Sequence, residues 1–174
     1  MASSVSTKQE ADPRSLAVKM VTDAWKAQNS RVSKFLFDVS DEDLLREIVP
    51  GRNTGLYVLG HLTAVNDGLL PLFGFGDRRF PVLDEHFIKN PDGESDGRPS
   101  PAEVRKAWAE ILGVLQENFE KMTNDDWFGR HTAVTEEDFQ KEPHRNRLNV
   151  LISRTNHESY HLGQLLFLTN KEEN

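Results

Sequence analysis

The 174 residues include no cysteine. That absence removes disulfide frameworks, thiolate zinc sites and a cysteine nucleophile, and it fits a reducing compartment. Long apolar runs are missing too, and none approaches the roughly 18 residues that a membrane-spanning helix needs. The first ten residues, Met1 to Glu10, are rich in Ser and lack an apolar centre, so they read as a loose tail and not a secretory leader. The expected location is cytoplasmic. An excess of positive charge is also lacking: 21 Lys and Arg stand against 28 Asp and Glu, for a formal net charge of -7. Binding along a phosphate backbone needs clustered basic residues. The one cluster here, Arg145, Arg147 and Arg154, is sparse and reads as solvated helix charge. Neither nucleic acid nor membrane is an expected partner. Finally, no alternating apolar and polar segment is long enough to build a sheet, and there is no internal repeat.

What is present is helical periodicity. Asp12-Pro13 offers an N-cap followed by proline at the first helical position. Val21, Trp25, Val32, Phe35 and Val39 then recur at helical spacings and mark one apolar face. Ser40-Asp41-Glu42-Asp43 suggests a capping box for a short helix through Ile48, ended by Pro50-Gly51. A second long helix is expected from Asn53-Thr54 to about Phe73, with Leu56, Leu59, Leu62, Leu69 and Leu70 on its buried side. Residues 75 to 99 form a long connection rich in Gly, Pro and Asp. A connection of that length is usually mobile or functional. Ser100-Pro101 repeats the cap-plus-proline signal, and Val104, Trp108, Ile111, Leu115 and Phe119 mark a third helix. Residues 123 to 143 read as irregular, with a hairpin or a short helix. The fourth helix runs from about Asn146 to Leu168. The length suits one domain with a real core. The expectation is therefore an all-α four-helix bundle over residues 12–170, with long connections and a flexible tail over residues 1–11.

The fourth helix contains His157-Glu158-Ser159-Tyr160-His161. Two His four apart lie one turn apart on one face, where two imidazoles can reach one zinc-like ion. A third ligand must come from another element. His61 stands between Leu59 and Leu62 on an apolar stretch and needs a polar partner if buried. Placed at about 100° per residue, Leu148, Leu151, Ile152, Thr155, Ser159, Leu162 and Leu166 share one side of the fourth helix. His157 and His161 lie nearly opposite, with Val150, Gln164 and Leu168. Arg147, Arg154 and Glu158 occupy a narrow charged sector between them. A helix with two apolar sides is buried on both, by its own bundle and by a partner subunit, and two imidazoles there make sense if a metal unites them. The pentapeptide also matches the zinc-protease pattern H-E-x-x-H, but its context fails. The extended form needs Gly at 164 and His at 167, where the chain has Gln164 and Phe167.

Asn53-Thr54-Gly55, then Leu59-Gly60-His61-Leu62, then His157 and His161-Leu162-Gly163-Gln164-Leu165 together resemble the DinB-like (YfiT-like) metalloprotein superfamily. Its pattern is one His on the second helix and H-x-x-x-H-x-G-Q on the last, and the resemblance runs over residues 14 to 168. The chain departs from it in Leu56-Tyr57, where many members have Trp, and in its long 75–99 connection. The resemblance implies a helical bundle holding a divalent metal, often zinc or nickel, on His61, His157 and His161. It also implies a homodimer and, for some members, small-molecule chemistry that uses low-molecular-weight thiols such as bacillithiol, mycothiol or glutathione.

Three neutral ligands and an open position are the layout of a catalytic zinc site. A metal there lowers the pKa of bound water or holds a thiol as thiolate. Glu158 is a candidate general base, with a surface pair to Arg154 as the favoured alternative. Gln164 either orients a metal-bound group or caps bundle carbonyls. Tyr57 either lines a substrate pocket or is a plain core aromatic. Arg154 either holds a substrate carboxylate or pairs with Glu158. His86, His131 and His144 read as surface histidines. Two functions follow: a metal-dependent enzyme, of thiol S-transferase or hydrolase type, or a non-catalytic, stress-associated bundle whose metal stabilises the fold.

Overall fold

A computed structural model describes residues 12–169. The expected N-terminal tail, residues 1–11, lies outside the described residues, as do residues 170–174. The described chain is all-helical, with no strand among the described residues. No helix among them is long and apolar enough to cross a membrane.

Helix α1, Pro13–Asp38, starts where its local signals place it. Asp12 accepts hydrogen bonds from the Arg14 and Ser15 amides, and Pro13 takes a position whose N–H would have no helical partner. Ser40 caps α2, Asp41–Leu45, by accepting from the Asp43 amide at 3.0 Å. This helix stops at Leu45 and does not reach Ile48. Arg46 turns extended, Glu47 pairs with Thr54, and the Ile48 amide donates to the Asn53 carbonyl at 3.0 Å.

The second long helix is not continuous to Phe73. It divides into α3, Gly55–Asp67, and α4, Leu69–Phe73. Pro71 is the cause: it has no N–H to return to the Asp67 carbonyl, and its ring crowds that carbonyl. The Asp67 side chain turns to the following connection and accepts the Arg79 and Phe80 amides, each at 2.9 Å. Gly74 then ends α4 at φ 82°, a left-handed conformation that glycine adopts without steric cost.

The 75–99 connection carries more structure than its composition suggests. Within it, α5, Val82–Asp84, runs into one π-helical turn, Glu85–Lys89, and both pack on α3. Phe87 is fully buried there. His86, expected at the surface, is buried as well and is hydrogen-bonded to Ser95 Oγ at 2.9 Å. Helix α6, Pro101–Phe119, opens with a capping box between Ser100 and Glu103. Residues 123 to 143 hold two short helices, α7 (Asn124–Phe128) and α8 (Glu136–Lys141), and no hairpin. Helix α9, Arg147–Leu165, tightens into a 3-10 turn over Leu166–Leu168.

The four longest helices share one core. α1 lies along α9, α3 packs on both α6 and α9, and α6 touches α1. Trp25, Phe119 and Trp127 fill one end of that core, with Phe119 about equidistant from the other two at 5.0 Å between ring centroids. Leu151, Glu158 and Leu165, seven apart on α9, all face inward and are buried. This corrects the expected charged sector, because Glu158 is only 2 % exposed. Its Oε2 accepts from Asn29 Nδ2 of α1 and its Oε1 from Asn66 Nδ2 of α3, each at 2.9 Å. The expected apolar side of α9 that runs from Leu148 to Leu166 is buried only in part. Leu148 and Leu151 are inside, whereas Ile152 and Leu166 are exposed.

Replacing the buried carboxylate removes the only acceptor of the Asn66 amide group among the described residues. Glu158→Leu is expected to destabilise the chain by about 1–3 kcal/mol, the usual cost of stranding a buried donor. Urea unfolding measures it, and an unchanged midpoint would show that the three helices do not depend on this contact.

Candidate metal centre

His61 comes from the middle of α3, and His157 and His161 come from successive turns of α9. All three side chains are half-buried. His61 Nε2 lies 3.3 Å from His157 Nε2, and His161 Nε2 lies 3.0 Å from the same atom. One ring nitrogen from each residue falls within 4.8 Å of the other two. Around a tetrahedral ion with bonds of about 2.0 to 2.1 Å, ligand nitrogens stand about 3.3 Å apart. The spacing found is close to that.

The outer ring nitrogens decide what the inner ones offer. His61 Nδ1–H donates to the Phe87 carbonyl at 3.0 Å. His161 Nδ1–H donates to Gln164 Oε1 at 2.8 Å, and the Gln164 amide is itself oriented by donating to the Tyr160 hydroxyl at 3.1 Å. In a neutral imidazole only one nitrogen carries a proton. His61 and His161 therefore both aim an Nε2 lone pair at the same point. His157 Nε2 can donate to at most one of them, so the cluster holds more acceptors than donors. A shared cation resolves that excess, and the donor set fits one.

Electrostatics agree with neutral rings. Burial, then the neighbouring His161 and His61, hold His157 down to about 4. Burial also lowers His161, against the hydrogen bond it donates to Gln164, which raises it. Next along the helix, burial pushes the Glu158 carboxyl up to about 7, opposed by the Asn66 hydrogen bond and the Arg154 guanidinium.

Close packing under α3 makes the His61 contact possible. A Cβ on Gly60 would lie 2.5 Å from the Phe87 ring. Only glycine at that position lets the π-helical turn approach until its carbonyl meets His61. Tyr57 secures the same turn: its hydroxyl donates to the Asn90 carbonyl at 2.9 Å, and its ring meets Phe87 edge-on at 6.0 Å.

A cleft of about 720 Å³ opens beside His161 and Gln164. Of the three residues expected to form a substrate pocket, Gln164 lines it and Tyr57 and Arg154 do not. Arg154 is half-buried, and burial lowers its pKa. It makes no ion pair with Glu158 among the described contacts, and the surface pair expected between them is absent because Glu158 is inside. His144 is exposed, as expected, and His131 is half-buried.

Six residues escaped the sequence reading: Asn29 and Asn66 as partners of Glu158, Phe87 through its carbonyl, and Arg52, Tyr160 and Phe167 in the cleft. For the two asparagines a signal existed. Asn29 follows Trp25 by four and precedes Val32 by three, and Asn66 follows Leu62 by four. Each is a polar residue on an apolar stripe, which demands a buried partner.

The model of the DinB superfamily matches residues 24–165 of this chain. The crystal structure of a conserved protein from Enterococcus faecalis is similar in fold, with a TM-score of 0.58 at 13% sequence identity, over 86% of this chain and 93% of that one. No curated protein matches the chain.

Proposed function

The chain belongs to the DinB superfamily, and from that premise we propose that it binds one divalent metal ion, zinc or nickel, through His61, His157 and His161 and uses it on a small molecule. The observation that carries this reading is the convergence of three imidazole nitrogens, two of them held as lone-pair acceptors by outer hydrogen bonds. Hydrogen bonds of that kind fix the tautomer and aim of ligating imidazoles in metal sites.

A bound divalent ion supplies Lewis acidity, holding a water or a thiol in its deprotonated form near neutral pH. The chain's own groups do the rest. Gln164 keeps His161 aimed and stands at the edge of the cleft. The Tyr160 hydroxyl, also on the cleft, is placed to donate a hydrogen bond to a bound molecule. Glu158 holds α9 against α1 and α3, and its two oxygens are engaged by asparagine amides, which favours a positioning role over proton transfer. The reaction class that fits is transfer involving a low-molecular-weight thiol, with hydrolysis as the lesser variant, in the reducing cytoplasmic setting that a cysteine-free chain suits. Three ligands and an open cleft beside them favour this over a metal that only stabilises the bundle.

The protein is read as a homodimer. Ile152 of α9 and Leu166 of the 3-10 turn that continues it are both exposed, with the small Ser159 and Gly163 between them in sequence. Light scattering at high micromolar concentration is expected to give twice the chain mass, and a monomer there would contradict it. For the metal, elemental analysis of protein purified without an affinity tag is expected to find one zinc or nickel per chain. His61→Ala, His157→Ala and His161→Ala should each lose it, and His144→Ala should keep it. Equal loss in the His144 variant, or no uptake by the wild type after zinc, nickel or manganese is added, would overturn the assignment.

A further inference from the structure

The cleft beside the triad carries recognition chemistry of its own. Arg52 lines it, in the turn just after Gly51. Among the described residues lining the cleft there is no carboxylate, although the chain as a whole carries a net charge of -7. Nor does Arg52 form an ion pair with any described residue. A neighbouring cavity that shares Arg52 does hold acids, but they are engaged elsewhere. Asp92 pairs with Arg98, and Glu47 accepts the Gly51 amide at 2.8 Å. A guanidinium left free in this way presents a planar fork that matches a carboxylate or a related oxyanion.

Beside Asn53, His161 and Gln164, the lining includes large side chains that the folded chain leaves uncovered. Val49, Tyr160 and Phe167 all line the cleft, and they are 40%, 64% and 57% exposed. Large apolar side chains gathered at one opening mark a surface that a ligand covers. The opening's volume suits a small organic molecule.

We infer that the cleft takes an amphipathic organic anion, with its acid group on Arg52 and its hydrocarbon or aromatic body against Phe167 and Val49. The remaining part of such a molecule faces His161 and Gln164. Only that last placement rests on the proposed metal site; the grip of Arg52 on the acid group does not.

Two fluorescent probes separate the contributions: anilinonaphthalene sulfonate, an aromatic anion, and phenylnaphthylamine, the same aromatic body without the charge. Both are titrated into the full chain, metal-free and after incubation with zinc. The metal-free arm tests Arg52 whether or not the triad holds an ion, so a failed metal assignment is not mistaken for a failed cleft. Arg52→Gln is expected to weaken the anion about tenfold and the neutral probe less than about twofold, the difference being one charge-assisted contact. Phe167→Ala should weaken both. Lys34→Gln, in a separate apolar groove with Arg31, Leu162 and Leu166, should change neither. Matching thermal melts confirm that these variants are folded. The inference is overturned if the wild type shows no saturable binding of the anion. It is equally overturned if Arg52→Gln leaves the anion unaffected or weakens both probes alike, or if Lys34→Gln accounts for the loss.

Discussion

A carboxylate can sit inside an apolar core only where donors replace the water it has lost, and Glu158 imposes that condition on three helices at once. Its oxygens reach Asn29 of α1 and Asn66 of α3 from the inward line of α9. A hydrogen bond tolerates only a few tenths of an ångström of displacement, whereas apolar side chains slide past one another more freely. The contact therefore sets the register of α9 against α3. His157 is the next residue on α9, and His61 lies five residues before Asn66 on α3. Fixing one pair brings the other pair face to face.

From that register follows the rest of the site. The imidazoles converge, and their outer nitrogens are satisfied by two unrelated devices. One is a side-chain amide a turn along the same helix. The other is a backbone carbonyl presented by a π-helical turn, which Gly60 admits and Tyr57 ties down. The 75–99 connection is thus part of the site's scaffold: it covers α3 and holds His61. At His161 the cluster borders a cleft whose walls mix apolar side chains with Asn53 and Gln164, and whose charge is a single arginine among the described lining residues. Glu158, the two α9 histidines and the cleft residues Tyr160 and Gln164 thus follow one another along a single helix.

Much of the helical framework was legible because its signals are local. Asp12-Pro13 and Ser100-Pro101 mark helix starts by cap and proline, and both helices begin there. The His157 and His161 pair was legible from spacing, and His61 from its place on an apolar stretch. The break at Gly68 was also written in Pro71, though the run of leucines masked it. Less legible was anything that depends on tertiary pairing. Glu158 and Arg154 read as surface charge because charge on a helix usually is, and only distant asparagines make the burial of Glu158 tolerable. His86 read as a loop histidine, since nothing nearby in sequence announces that Glu85–Lys89 folds onto α3. A backbone acceptor such as the Phe87 carbonyl leaves no mark in the sequence. Arg52 gained its meaning only when the turn carrying it was placed beside Phe167.

The central claim is that three imidazoles share one ion, and X-ray absorption at the zinc edge of the zinc-loaded chain tests it most directly. The expected first shell has a low coordination number at about 2.0 to 2.1 Å, with the outer-shell scattering of three imidazole rings. In His161→Ala the zinc and its ring scattering should be lost. A six-coordinate shell of oxygens without ring scattering, unchanged in the variant, would place the zinc elsewhere on the acidic surface and contradict the account.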